Sequence, residues 1–179
     1  VPLPVAHGII GASVVAASRT NVTLGRDWKV ILLGAALAIC PDFDIFFIWA
    51  FNLNGDLHRS VSHSILFAAA AGLIASILFG RAQLKDVVVL ASATLSHSLA
   101  DILSSKMALG VRLLWPLPHR FRLGLCDYFA PLIDPRYTSV AVFLTRLFLV
   151  SLAELALFTP VFIAALLIGQ ASSKAFDEL

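Results

Sequence analysis

The sequence predicts an all-α integral membrane protein, a bundle of about five apolar helices with a polar site at one membrane face. Three observations predict it. Only 13% of the 179 residues are charged and 59% are hydrophobic, whereas a soluble domain carries about 25% charged residues. Mean hydropathy is +0.91, so lipid has to cover much of the outside. The apolar residues are gathered into five stretches separated by short polar ones, and the residues capable of chemistry cluster near the ends of those stretches. Net charge is only +2 with the basic residues dispersed, which argues against a nucleic-acid partner.

The first stretch, about Val5 to Ser18, is rich in small residues (Gly8, Gly11, Ala12, Ala16, Ala17). At ~1.5 Å per residue it reaches only ~21 Å, short of a hydrocarbon core of ~30 Å. Its small residues predict close packing against other helices. The second stretch, Trp28 to Leu53, is interrupted at Pro41-Asp42-Phe43-Asp44. Proline removes a backbone donor, and two neighbouring carboxylates are costly in hydrocarbon. The break predicts a helix over Trp28–Cys40, with Cys40 buried at its end, and a continuation or re-entrant piece over Ile45–Leu53. Cys40 and Cys126 form no CxxC pair and read as free thiols.

The third stretch, Ser64–Phe79, has sixteen residues without a charge and ends at Gly80-Arg81. Ser60 or Ser62 is placed to cap it. The fourth, Asp86–Ser104, carries Ser96-His97-Ser98 and Asp101 toward its end, and residues 105–139 connect onward with four prolines and four arginines. The fifth, Val140–Gly169, can span with tilt; it contains Arg146, Glu154 and Pro160. Arg146 lies two turns from Glu154, too far for a pair within the helix, so Glu154 is expected to face the bundle interior. Residues 170–179 read as a frayed polar tail. Neither a repeat nor a low-complexity linker is present, which predicts one domain over 1–179. Val1-Pro2-Leu3-Pro4 has no basic n-region or cleavage site after a short apolar core, so no secretory signal peptide is expected there, and the absent initiator Met suits a processed start.

If the five stretches cross or dip in alternation, then His7, residues 41–63, residues 97–101 and the 105–139 connection share one membrane face. Lysine and arginine do not orient the bundle. Arg59, Lys106, Arg112, Arg120, Arg122 and Arg136 fall on the site face, and Arg19, Arg26, Lys29, Arg81, Lys85 and Lys174 on the other.

Four motifs on the site face carry the chemistry. In Ser96-His97-Ser98-Leu99-Ala100-Asp101 the imidazole and carboxylate are four apart on a helix and point the same way. They can share one metal ion, or simply hydrogen-bond to each other. In His58-Arg59-Ser60-Val61-Ser62-His63 the two imidazoles are five apart and can converge on a cation only if the backbone bends between them. In Pro41-Asp42-Phe43-Asp44, carboxylates two apart do not share a helix face; on an irregular turn one can ligate while the other orients a histidine. A divalent cation would relieve both their repulsion and their desolvation. His7 opens the first helix and is a further donor. His7, Asp42, Asp44, His58, His63, His97 and Asp101 are thus the metal-ligand candidates. Mixed histidine and carboxylate donors suit zinc, with manganese or iron also compatible. Arg112, Arg120 and Arg122, in a basic aromatic loop with His119, could grip an anionic group bidentately or anchor the chain at the interface.

In this order the motifs resemble the YdjM-like family of small inner-membrane proteins described as metal-dependent hydrolases. The likeness covers roughly residues 5 to 125. It rests on His7, the Pro-Asp-x-Asp turn (Pro41, Asp42, Asp44), the His-Arg-x-x-Ser-His motif (His58, Arg59, Ser62, His63), the Ser-His-x-x-x-Asp helix (His97, Asp101) and a Gly-x-x-Leu-Leu-Trp-Pro segment (Gly110, Leu113, Leu114, Trp115, Pro116). That family is distantly similar to the zinc-dependent phospholipase C and nuclease superfamily. The likeness implies that Asp42 or Asp44, His63, His97 and Asp101 hold metal, with His7 a further ligand. The superfamily's later His-x-x-x-Glu helix has no counterpart, because Glu154 has no histidine four residues before it. One or two metal ions are therefore expected, not three.

The expectation is a hydrolase in a bacterial or archaeal cytoplasmic (inner) membrane, acting on a phosphoester bond in a lipid or lipid-linked substrate. Asp42, His97 and Asp101 would be catalytic, and Arg59, Arg112 and Arg120 would steady the phosphate. The alternatives are a non-enzymatic metal-binding protein or metal carrier, and a metal-free bundle whose His–Asp pairs are hydrogen-bonded.

Overall fold

A computed structural model describes residues 3–81, 83–104, 110–125 and 139–177, with side chains as far as Ala171 in the last helix. Among them the regular structure is helical: α1 (Pro4–Ala17), α2 (Leu24–Ile39), α3 (Asp44–Ala50), α4 (Ile65–Leu78), α5 (Leu84–Ser104) and α6 (Val140–Asp177). The second apolar stretch becomes two helices, α2 and α3, joined by a 3-10 turn over Cys40–Phe43. Pro41 lies in the first turn of that piece, where a missing N–H is tolerated. Cys40 is half-buried rather than buried, because it lies at this break and not inside α2. Cys126 lies outside the described residues.

Three helical stretches are long and apolar enough to cross a membrane: Leu24–Ala50, Leu84–Ser104 and Val140–Ala171. Gly55–His63 together with Ile65–Leu78 makes a fourth if that pair, bent by 56°, is one span. This is an all-α membrane protein. Its outward side chains are apolar, Leu32, Leu66, Ile77 and Leu167 being more than half exposed, as a lipid-facing surface requires.

The short α1 packs against α2, α5 and α6, while α5 packs against α1, α2 and α4. Small residues make this possible. A Cβ on Gly11 would collide with the Gly34 carbonyl and the Ala38 methyl, and one on Gly72 would stand 2.5 Å from the Ala91 amide nitrogen. The backbones approach this closely because neither position carries a side chain. Between them lies a core of Ala12, Val15, Val30, Ile31, Ala75, Leu90 and Ala93.

The chain reverses direction between successive crossings. The start of α1, the ends of α2 and α5 and the approach to α4 consequently meet at one end of the bundle. Ser64, not Ser60 or Ser62, caps α4: its Oγ accepts from the Phe67 amide at 3.1 Å. The residues before it form their own 3-10 turn, Val61–His63. Residues 110–125 strap this end. Val111 and Phe121 pair as an isolated antiparallel bridge, the Ile65 amide donates to the Leu113 carbonyl (3.0 Å), and the Leu123 amide donates to the Ile102 carbonyl (2.8 Å).

The α6 helix continues to Asp177, past the point where the polar tail was expected to fray. Its partner on α1 is explicit. Glu154, fully buried, accepts from the Leu3 amide at 2.6 Å and the Ala6 amide at 3.0 Å. A carboxylate from α6 therefore satisfies the open N-terminus of α1, which has no side-chain cap of its own.

Candidate metal centre

His7, Asp42, Asp44, His58, His63, His97 and Asp101 come together at the strapped end of the bundle. His7, His63, His97 and Asp101 are no more than 1% exposed, and Asp42, Asp44 and His58 are half-buried. Each arrives on a different piece of chain: His7 from the first turn of α1, Asp42 from the 3-10 turn after α2, Asp44 from the start of α3, His63 from the turn before α4, and His97 with Asp101 from one face of α5.

The turn over Cys40–Phe43 separates the roles of its two carboxylates. Asp42 Oδ1 stands 3.4 Å from His97 Nε2 and 3.7 Å from His63 Nε2. Asp44 instead contacts His58 Nδ1 at 2.7 Å and accepts from Ser62 Oγ at 2.5 Å. The backbone bend that His58 and His63 need is supplied by Arg59, whose φ is +62°, a left-handed conformation that costs a non-glycine residue about 1–3 kcal/mol. That conformation is held from outside, since the Arg112 amide donates to the Arg59 carbonyl at 2.9 Å.

Hydrogen bonding fixes which ring nitrogens face inward. His97 Nδ1 lies 2.7 Å from the Ala38 carbonyl. A carbonyl only accepts, so Nδ1 carries a proton, and in the neutral ring Nε2 presents a lone pair. His63 Nδ1 lies 2.9 Å from Ser62 Oγ. The Ser62 hydroxyl has one proton and gives it to Asp44, so His63 Nδ1 donates to that oxygen and its Nε2 is also a bare acceptor. These two Nε2 atoms face each other at 3.0 Å. Between two neutral rings that contact is repulsive; a proton on one Nε2, which makes it a hydrogen bond, or a metal ion between them relieves it.

His7 stacks on His97 with ring centroids 3.8 Å apart, and its Nε2 lies 3.6 Å from Asp101 Oδ1. Neither ring nitrogen of His7 has a hydrogen-bond partner among the described residues, nor does either carboxylate oxygen of Asp101. The buried His7 nitrogens, left without a hydrogen bond, carry a desolvation penalty that a ligand would remove. Arg59 Nε stands 3.1 Å from Asp101 Oδ2 as an ion pair. With the imidazoles neutral, the Asp42, Asp44 and Asp101 carboxylates outnumber that guanidinium by two, a charge that a divalent cation would balance.

The donors fall into overlapping triplets: His7, Asp42 and His97; Asp42, His58 and His63; and His63, His97 and Asp101. Within each triplet one ligand atom per residue lies within 4.8 Å of the others. Ligands about 2.0–2.1 Å from a tetrahedral ion stand about 3.3 Å apart, close to the 3.0, 3.4 and 3.7 Å separations among His63 Nε2, His97 Nε2 and Asp42 Oδ1. The residues fit one ion or two.

The matching family model spans residues 3–176 and describes the YdjM inner membrane protein. The chain belongs to the YdjM inner membrane protein family. With three apolar helices able to span, it is an integral inner-membrane protein. Comparison with curated proteins and with solved structures gave no match.

The arginines divide. Arg59 is buried in the cluster. Arg112 is anchored beside it through its backbone, and its Nε is buried without a hydrogen bond among the described residues. Arg120 stands outside the donor set, donating Nη1 to the Gly110 carbonyl (3.1 Å) and Nη2 to the Asp56 carbonyl (3.3 Å), where it clamps the strap. His119 is exposed and packs edge-on against Phe121, away from the donor set. Two participants escaped the sequence reading. Ser62 orients Asp44 and His63, although it stands in the quoted motif, and the Ala38 carbonyl, which fixes His97, carries no sequence signal at all.

Beside the cluster runs a groove of about 610 Å³, lined by Pro4, Ile39, Phe43, Phe46 and Trp49 and reaching Asp42 and His58. Phe43 is 60% and Trp49 79% exposed, so the groove lies open on the lipid-facing side.

Proposed function

We propose that the chain is a membrane-embedded, metal-dependent hydrolase that cleaves a phosphoester bond in a lipid or lipid-linked substrate. The observation that carries the reading is the pair of inward Nε2 atoms 3.0 Å apart beside the Asp42 carboxylate. Asp42, His63, His97 and Asp101 would hold the metal, with His7 and His58 completing one site or building a second. When bound, an ion such as zinc polarises a phosphoryl oxygen and lets water ionise near neutral pH.

The protein's own groups do the remaining work. Ser62, Asp44 and the Ala38 carbonyl hold the imidazoles in their tautomers. Arg59 orients Asp101, and Arg112, tied to Arg59 through its amide, would meet the phosphate. The apolar groove ending at Asp42 and His58 suits an alkyl chain whose headgroup reaches the donors. The same geometry favours hydrolysis over metal transport. A carrier needs polar groups free along the bundle, whereas below the cluster the core is Val15, Val30, Ile31, Ala75, Leu90 and Ala93, and the buried hydroxyls of Ser13, Ser76 and Thr94 are bonded to nearby backbone carbonyls.

The test is turnover of a phosphodiester reporter and of phospholipid in mixed micelles by the metal-supplemented protein. His97→Ala and Asp101→Ala are each expected to remove turnover while expression persists. Wild-type turnover in both variants would contradict the mechanism.

A further inference from the structure

At the end of the bundle remote from the histidines, the α1–α2 turn meets the α4–α5 turn around a crevice of about 810 Å³. Its polar lining includes Ser18, Arg19, Arg81, Gln83, Lys85 and Asp86. The charges do not balance. Arg19 Nη1 is 3.8 Å and Arg81 Nη1 3.9 Å from the same oxygen, Asp86 Oδ1. One carboxylate is thus shared at long range by two guanidiniums. Arg19 Nε also stands 3.3 Å from Asp27 Oδ1, a carboxylate already bonded by Arg26. Lys85 is exposed and makes no ion pair among the described residues. The α5 helix begins at Leu84, so its first-turn amides open on this same turn.

We infer that this crevice binds the phosphate of an anionic phospholipid headgroup. Guanidinium and ammonium groups around a concave site supply charge-assisted donors to phosphate oxygens, and basic pockets between membrane helices hold such headgroups. The rim identifies the source as lipid. Leu78 is 76%, Phe79 55% and Leu84 77% exposed next to the cations, so the crevice sits where acyl chains and headgroups meet. The site is independent of the proposed hydrolase chemistry at the other end of α5.

Native mass spectrometry of the delipidated full chain, titrated with phosphatidylglycerol or phosphatidylcholine, tests it. Wild type is expected to retain phosphatidylglycerol preferentially. Lys85→Gln and Arg81→Gln should each lower that retention about five-fold. Lys29→Gln removes a charge at the same end but outside the crevice and should leave retention unchanged. Lys85→Gln breaks no ion pair among the described residues, so an unchanged thermal midpoint separates lost binding from lost folding. Equal retention of the two lipids by wild type, or equal losses from Lys29→Gln and Lys85→Gln, would overturn the inference. So would inorganic phosphate binding as tightly as phosphatidylglycerol, which would make the crevice a soluble-anion site.

Discussion

The inward nitrogens of His63 and His97 are each set by a partner on the far side of the ring, and the most exposed to test is Ser62. Its hydroxyl connects the Asp44 carboxylate at 2.5 Å with His63 Nδ1 at 2.9 Å. Ser62→Ala removes both contacts without touching a proposed ligand, and should weaken zinc affinity about ten- to a hundred-fold, measured by competition with a chelating dye. Unchanged affinity would mean that His63 is oriented by packing alone. Residue types were legible from the sequence; their division of labour was not. Asp42 and Asp44 could be told apart only once the 3-10 turn aimed one at the imidazoles and the other at His58 and Ser62. Arg59 and Arg120 share the expectation of steadying a phosphate, but their surroundings differ: one is buried against Asp101 and the other is bound to backbone carbonyls that no local pattern reveals.

At the scale of the element, α1 is the least self-sufficient piece. It is only 14 residues long, it lacks a side-chain cap, and it delivers His7 from its first turn. Glu154 supplies the missing acceptor from a helix about 150 residues away in sequence, and a lone carboxylate in an apolar run was the signal that something had to receive it. Glu154→Ala leaves two amides without their acceptor and should cost about 2–3 kcal/mol, read as a lowered denaturation midpoint in detergent. Glu154→Gln, keeping one carbonyl oxygen, should lose less. Equal stability of Glu154→Ala and wild type would remove this account of how α1 is held. The apolar stretches themselves were located within a few residues, except at the end of α6, because hydrophobic runs and Pro41 are local signals. The cap on α4 was misplaced, because the turn over Val61–His63 is set by contacts with distant chain.

For the whole molecule, five apolar stretches reversing direction were enough to foresee that the polar motifs share one end of the bundle. Which tip of the bundle faces the cytoplasm was not legible, since basic residues divide evenly between the two. Distances were not legible either, because they depend on how closely α1 approaches α2 at Gly11 and Gly34 and α4 approaches α5 at Gly72. What the packed bundle produces is a set of imidazoles and carboxylates with two opposed Nε2 atoms, gathered at the strapped end of its core. Elemental analysis of the chain purified without chelators measures that directly. Wild type should carry about one to two zinc, manganese or iron ions per chain, and the His63→Ala/His97→Ala double variant should carry almost none. Wild type with less than ~0.1 metal per chain after growth in metal-replete medium would contradict the account and leave a hydrogen-bonded, metal-free cluster in its place.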